Sequence, residues 1–276
     1  MERVRGLLDC SEHEVCMAAA GLFRGFGGLV VAAALCCPMW AQEQAADGGV
    51  TYTRNEELLE SVFIPMMPGA PFSLKLSAEW AKPMANGGTY TTANLRPIMR
   101  DSAGRIYQER WLMAPKGSST ASRMSWIQIA DPVAHTFYEC TPRQHVCELR
   151  TLKDSAALRL NPNGMRSGPL PNGQGFRMHE DLGKEFFAGV AVEHYRDTTT
   201  VHPGAMGNDL AMVTTREFRF SPALGFNLTS VLDTPSVGKQ TFTVTEISTT
   251  EPDARYFQPP EGYRIVDYRK AAAPPE

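Results

Sequence analysis

The chain has 276 residues, 43% of them hydrophobic and 21% charged, with 27 Lys and Arg against 30 Asp and Glu. So near a balance supplies no broad field for nucleic acid or an acidic membrane, and so much apolar content excludes a disordered chain. The 23 glycines and 20 prolines imply many turns, and the length suffices for one large β domain with a sizeable core.

An apolar run at 25–37, GFGGLVVAAALCC, follows Arg24. It is short for a membrane span and of the right length for a secretion leader. Asp9, Glu12 and Glu14 do not suit a basic leader, which favours a start at Met17, and Ala41 is the expected last leader residue. A lipidated cysteine wants a small residue before it, but Leu35 precedes Cys36. The leader therefore covers 1–41, and the mature protein is expected in the periplasm or at the outer envelope without a membrane span. It keeps two of the six cysteines, Cys140 and Cys147, in a compartment that favours disulfides.

Residues 42–70 form a small, polar tether with one short helix-forming stretch, NEELLESV at 55–62, which has a cap residue and acids in its first turn. Pro65, Pro68 and Pro71 stop any helix there. From Phe72 the period changes to two. Phe72, Leu74, Leu76, Ala78 and Trp80 alternate with Ser73, Lys75, Ser77, Glu79 and Ala81, as in a strand with one face in a core. Asn86 to Gly88 turn it into a second strand at 89–99. Asp101 to Gly104 then turn that strand into a third at 105–113, because Asp bonds its own backbone and Gly tolerates positive φ. Pro97 lies within the second strand, which predicts an edge or a bulge.

Another strand follows at 124–130, then a hairpin with arms at 134–139 and 146–152, its turn tied by Cys140 and Cys147. Residues 153–181 break the rhythm with NPNG and GPLPNGQG and are read as a long loop, a flap or a boundary within the sheet. Extended structure resumes at 182–203 and continues at 211–220, 225–233 and 239–248. One helical turn at 252–257, a last short strand at 262–268 and a tail at 269–276 complete the chain. About ten sequential strands predict a mainly β protein with one or two short helices. Its single domain, 71–268, is a large curved antiparallel sheet or half-open barrel.

The order of the motifs PFSLKLSAEW, RDSAGRIYQER, IADPVAHTFY, LGKEFFAGVAVEHYRDTTTVHPGAMGND, FSPALGF and EPDARYFQPPEGYRIVD resembles a large group of exported bacterial β-rich proteins. More distantly it is similar to the outer-membrane lipoprotein carrier, or LolA-type, fold. The resemblance implies a curved antiparallel sheet wrapped around an apolar cavity, and a periplasmic or envelope protein that holds a lipid-like or peptide-like group. The chain departs from the carriers in offering one helix-forming stretch where they have several.

Cys140, His145 and Cys147, with His135, have metal-ligand chemistry at close spacing, but a disulfide explains the cysteines more simply in an exported chain, and neither metal nor cofactor is expected. His179, His194 and His202 lack a ligand spacing. No Ser sits in a nucleophile elbow, and Glu193 and His194, adjacent on a strand with Asp197 beyond, point to opposite faces. No enzyme is expected. The binding candidates are broad rings beside flexible thioethers: Trp80, Met99, Trp111, Met113, Met124 and Trp126. Two functions stay open. One is a noncatalytic envelope protein binding an apolar or lipidated ligand in the curved sheet. The other is a structural or protein-interaction module of the envelope with a filled core.

Overall fold

The computed structural model describes residues 62–152 and 166–269. The leader at 1–41, nearly all of the tether and helix-forming stretch at 42–61, the loop residues 153–165 and the tail from 270 lie outside the described residues.

The alternation that begins at Phe72 forms β1 (Phe72–Pro83), which buries Phe72, Leu74, Leu76 and Ala78 on one face. An Asn86–Gly88 turn leads to β2 (Thr89–Arg100), in unbroken antiparallel register with β1 from Phe72 opposite Arg100 to Pro83 opposite Thr89. The turn after β2 is built around one carboxylate. Asp101 Oδ1 accepts from the backbone N–H groups of Ala103 and Arg105 at 3.1 and 2.8 Å, and Oδ2 accepts from Arg105 Nε at 2.6 Å. Gly104 then takes φ +84°, and a Cβ there would lie 3.3 Å from the backbone of Met66, Met67 and Pro68. The chain continues through β3 (Ile106–Trp111), the two-residue β4 (Ala114–Pro115), β5 (Met124–Asp131), β6 (Thr136–Thr141) and β7 (Val146–Thr151).

The stretch read as a long loop is partly strand. After β8 (Gly168–Pro169) and a 3-10 turn at Pro171–Gly173, β9 runs Gly175–Phe187. Its register against β10 (Val190–Val201) starts at Gly175 opposite Val201, where the Gly- and Pro-rich run ends. Ala188 and Gly189, at φ 50° and 80°, make the hairpin turn within what the sequence presents as one extended stretch. Then come β11 (Met212–Ser221), β12 (Phe226–Thr234), β13 (Gly238–Ser248), a 3-10 turn at Ala254–Phe257 and β14 (Arg264–Asp267).

The described strands form one open sheet in the order β14, β7, β6, β5, β3, β2, β1, β13, β12, β11, β10, β9, β8, with β4 pairing β2. It is a curved, unclosed sheet and not a simple meander. The first half walks outward from β1. The second half walks back until β13 pairs β1 antiparallel, and β14 crosses to pair β7 in parallel. Pro97 is in an interior strand, paired with Lys75, rather than at an edge. The disruption it causes falls on the other side, where β2 pairs β3 only from Ile98 to Arg100 and β4 only at Thr92 and Ala93.

The main core cluster joins the two halves across β1: Phe72, Leu74, Leu76, Ile98 and Ile106 meet Val192, Leu224, Phe226, Leu228 and Val244. A second cluster, with Tyr107, Ile127, Ile129, Cys140 and Cys147, is covered by Tyr256, Phe257 and Tyr263 from the C-terminal segment.

Candidate functional site

Residues 62–71 pass over one face of the sheet as an irregular strap. Val62, Ile64 and Met66 pack against the main core cluster. Arg100 fastens the strap. Its guanidinium donates to the backbone carbonyls of Ala70 at 2.9 Å, Pro65 at 2.8 Å and Leu224 at 2.9 Å, and it lies over the Phe72 ring. Gly69 N–H donates to the Ser102 carbonyl at 2.9 Å. Burial lowers the Arg100 pKa to about 10, so the group remains a cation at neutral pH.

Between strap and sheet lies a cavity of about 580 Å³. Its strap wall is Val62, Phe63, Ile64 and Met66; its floor is Ile106, Gln108, Arg110, Trp126, Gln128, Ala130 and Glu139. Strand register explains why these floor residues meet. Ile106 pairs Ala130, Gln108 pairs Gln128 and Arg110 pairs Trp126, while Gln128 pairs Glu139 on the next strand. Alternation puts all of them on one face. The polar half of the floor is wired across three strands: Gln108 Nε2 donates to Gln128 Oε1 at 2.8 Å, and Gln128 Nε2 donates to Glu139 Oε2 at 2.7 Å. The cavity is amphipathic, with an apolar wall and a polar ladder.

Of the six rings and thioethers singled out in the sequence, Trp126 lines this cavity. Met99 and Met124 pack instead against the cluster around Tyr107 and the disulfide. Trp111 donates through Nε1 to Glu109 at 2.7 Å. Trp80 packs with Met113 and Ala78, donates to the Val237 carbonyl at 2.8 Å and carries Lys82 Nζ over its ring at 3.7 Å. Residue type alone could not sort them, because the face a side chain reaches depends on parity and on bulges. The strap contacts and the glutamine ladder had no separate sequence signal.

Cys140 and Cys147, directly opposite each other on β6 and β7, form a disulfide with an S–S distance of 2.02 Å, which removes both thiolates from any metal chemistry at that turn. Among the described residues no group of three or more His, Cys, Asp and Glu is arranged to hold a metal ion. Glu193, His194 and Asp197 go to separate partners. Tyr195 donates its hydroxyl to Glu193 at 3.0 Å, His194 Nε2 lies 2.9 Å from Glu217, and Asp197 lies 2.6 Å from His179 Nδ1, whose ring stacks on Tyr195. Among the described residues no helix is long and apolar enough to cross a membrane.

Fold and cavity together define an open, curved and mostly antiparallel sheet with an amphipathic groove under a strap. No family model matches the chain, and no curated protein matches it significantly. Solved structures do. MucB matches at 13% identity and a TM-score of 0.35, over 72% of this chain and 60% of MucB. The Mycobacterium tuberculosis lipoprotein LppX matches at 9% and 0.29, over 67% and 90%. A LolA superfamily protein from Nitrosomonas europaea matches at 8% and 0.28, over 70% and 91%. The chain thus spans about three fifths of the length of MucB, and the matches include the LolA-type group that the motif order resembles. At these TM-scores nothing about ligand or activity passes from those proteins to this one.

Proposed function

We propose that this protein is an exported, noncatalytic binding protein of the cell envelope that holds an apolar or lipidated ligand between strap and sheet. The cavity carries this reading. A groove of about 580 Å³ lies between the strap and the sheet, beside the main core cluster, a volume within the usual range for small-molecule sites. Its wall of Val62, Ile64 and Met66 offers apolar contact, and Gln108, Gln128 and Glu139 offer orientation. The leader-like run at 25–37 and the disulfide support an oxidising compartment.

One observation favours the interaction module. β8 covers only Phe176 and Arg177 of β9, and along the rest of that strand Leu182 and Phe186 are 40% and 79% exposed. An edge with apolar side chains that no other described strand covers accepts a strand from a partner.

Native mass spectrometry of the mature protein from periplasm, before and after organic extraction, separates the two. A lipid-sized adduct lost on extraction is expected for the groove reading. A bare mass showing only the deficit of one disulfide, in protein never extracted, overturns it in favour of the sheet edge.

A further inference from the structure

Two arginines four residues apart on the same face of β2 have opposite fates. Arg100 is fully buried and its guanidinium meets three carbonyls. Arg96 is 1% exposed, and Nε, Nη1 and Nη2 find no hydrogen-bond partner among the described residues. Leaving a buried guanidinium unpaired is among the most unfavourable arrangements a protein core can hold, so such groups ordinarily have a counter-ion. Burial pulls the Arg96 pKa down to about 9, with the neighbouring charge of Arg110 as the second cause. At neutral pH Arg96 remains a cation. The unpartnered guanidinium of Arg96 therefore calls for an anion.

Arg96 has two further buried polar groups beside it. Thr92 Oγ1 and Asn94 Oδ1 share its face of β2, are buried, and likewise have no hydrogen-bond partner. Asn94 is held in place by donating through Nδ2 to the Trp111 carbonyl at 2.6 Å. Arg96, Thr92 and Asn94 do not line the cavity themselves, and Arg110 is the link to it. Extending the Ile98–Gln108 pairing by two residues sets Arg96 opposite Arg110, and Arg110 is part of the cavity floor beside Trp126. The amphipathic cavity is thus backed, behind Arg110, by a buried cationic and hydrogen-bonding group.

We propose that Arg96, with Arg110 beside it, anchors the acidic headgroup, carboxylate or phosphate, of an amphiphile whose apolar tail occupies the cavity between strap and sheet. The proposal rests on the reading of that cavity as a ligand site and narrows its ligand to anionic amphiphiles. Arg96 supplies charge and a planar fork of donors to the headgroup oxygens. The Thr92 hydroxyl and the Asn94 carbonyl oxygen bond hydroxyl groups adjoining the anion.

The test uses extracted, disulfide-intact mature protein and tail-matched probes: palmitate against methyl palmitate, lysophosphatidic acid as the phosphate form, and inorganic phosphate without a tail. Binding is read by calorimetry and native mass spectrometry. Palmitate or lysophosphatidic acid is expected to bind at least about tenfold more tightly than the ester, the scale of one charge-assisted hydrogen-bonded pair. Arg96→Met is expected to abolish that preference while keeping ester binding, and Arg96→Lys to retain part of it. Equal affinity for acids and ester in the wild type overturns the anchor and leaves the groove reading standing. Binding of no tailed probe overturns both. Inorganic phosphate binding as tightly as the lysolipid makes this a free-anion site and overturns the amphiphile. Should Arg96→Met fail to fold, the wild-type ratio of acid to ester decides alone.

Discussion

Replacing Arg96 by methionine is expected to stabilise the ligand-free protein. The folded pKa is about 9 against an ordinary 12.5. At about 1.4 kcal/mol per pH unit, folding with this charge buried costs on the order of 5 kcal/mol at neutral pH. Methionine has similar length and no charge, so part of that cost is recovered, and a gain of about 1–4 kcal/mol is expected, the range seen when buried ionic groups become apolar. Urea denaturation of extracted protein at pH 7, followed by tryptophan fluorescence, reads it as a higher midpoint with unchanged slope. The pH dependence gives a second reading. Because the folded pKa is lowered, the unfolded chain binds more protons between about pH 9 and 12.5, and wild-type stability should rise there relative to the variant. Tyr107 and Tyr195 have raised pKa values, mainly from burial, so they withdraw stability above about pH 10. They do so in both proteins and cancel in the difference. A variant less stable than wild type by more than about 1 kcal/mol, or a difference that stays flat above pH 9, would refute the reasoning, since either result means that Arg96 already has its partner within the chain.

Arg100→Met should have the opposite sign: it strands the carbonyls of Pro65, Ala70 and Leu224 and releases the strap, for a loss of about 3 kcal/mol or more in the same urea assay. Replacing Cys140 and Cys147 together by alanine opens a small ring and should cost about 2–3 kcal/mol in the chain-entropy model, read as a lower urea midpoint without loss of the sheet's circular dichroism. Glu217 has its pKa lowered, first by the hydrogen bond from Arg196 and, after an opposing contribution from burial, by that from His194. The stability it contributes is present above its unfolded value of 4.5 and is lost as pH falls through the folded one, so Glu217→Gln should flatten the acid limb of the stability profile and leave the limb above pH 7 unchanged.

Much of the strand grammar was legible before any coordinates. Strict alternation from Phe72 to Trp80 has one reading as a half-buried strand, and Asp101 with Gly104 makes a turn wherever it occurs, because one carboxylate can bond the backbone of the next few residues. Cys140 and Cys147 needed only a short hairpin to meet. The loop reading extended past its turn-rich part, which ends at Gly175, into Phe176 to Asp181, which pair with β10. The cavity was not legible either. It exists because the strap is tied down by Arg100 and because Gln108, Gln128 and Glu139 fall in one row. β class, several turn positions and the disulfide are properties of short windows, and the sequence by itself determined them. Tertiary structure decided that β13 returns to pair β1, that Trp126 faces the cavity while Met99 lies in the disulfide cluster, and that of two arginines on one strand face one is satisfied and the other is not. The reason is physical: a side chain's chemistry is local, but what it meets is set by the register between strands, some of them, like β1 and β13, more than a hundred residues apart.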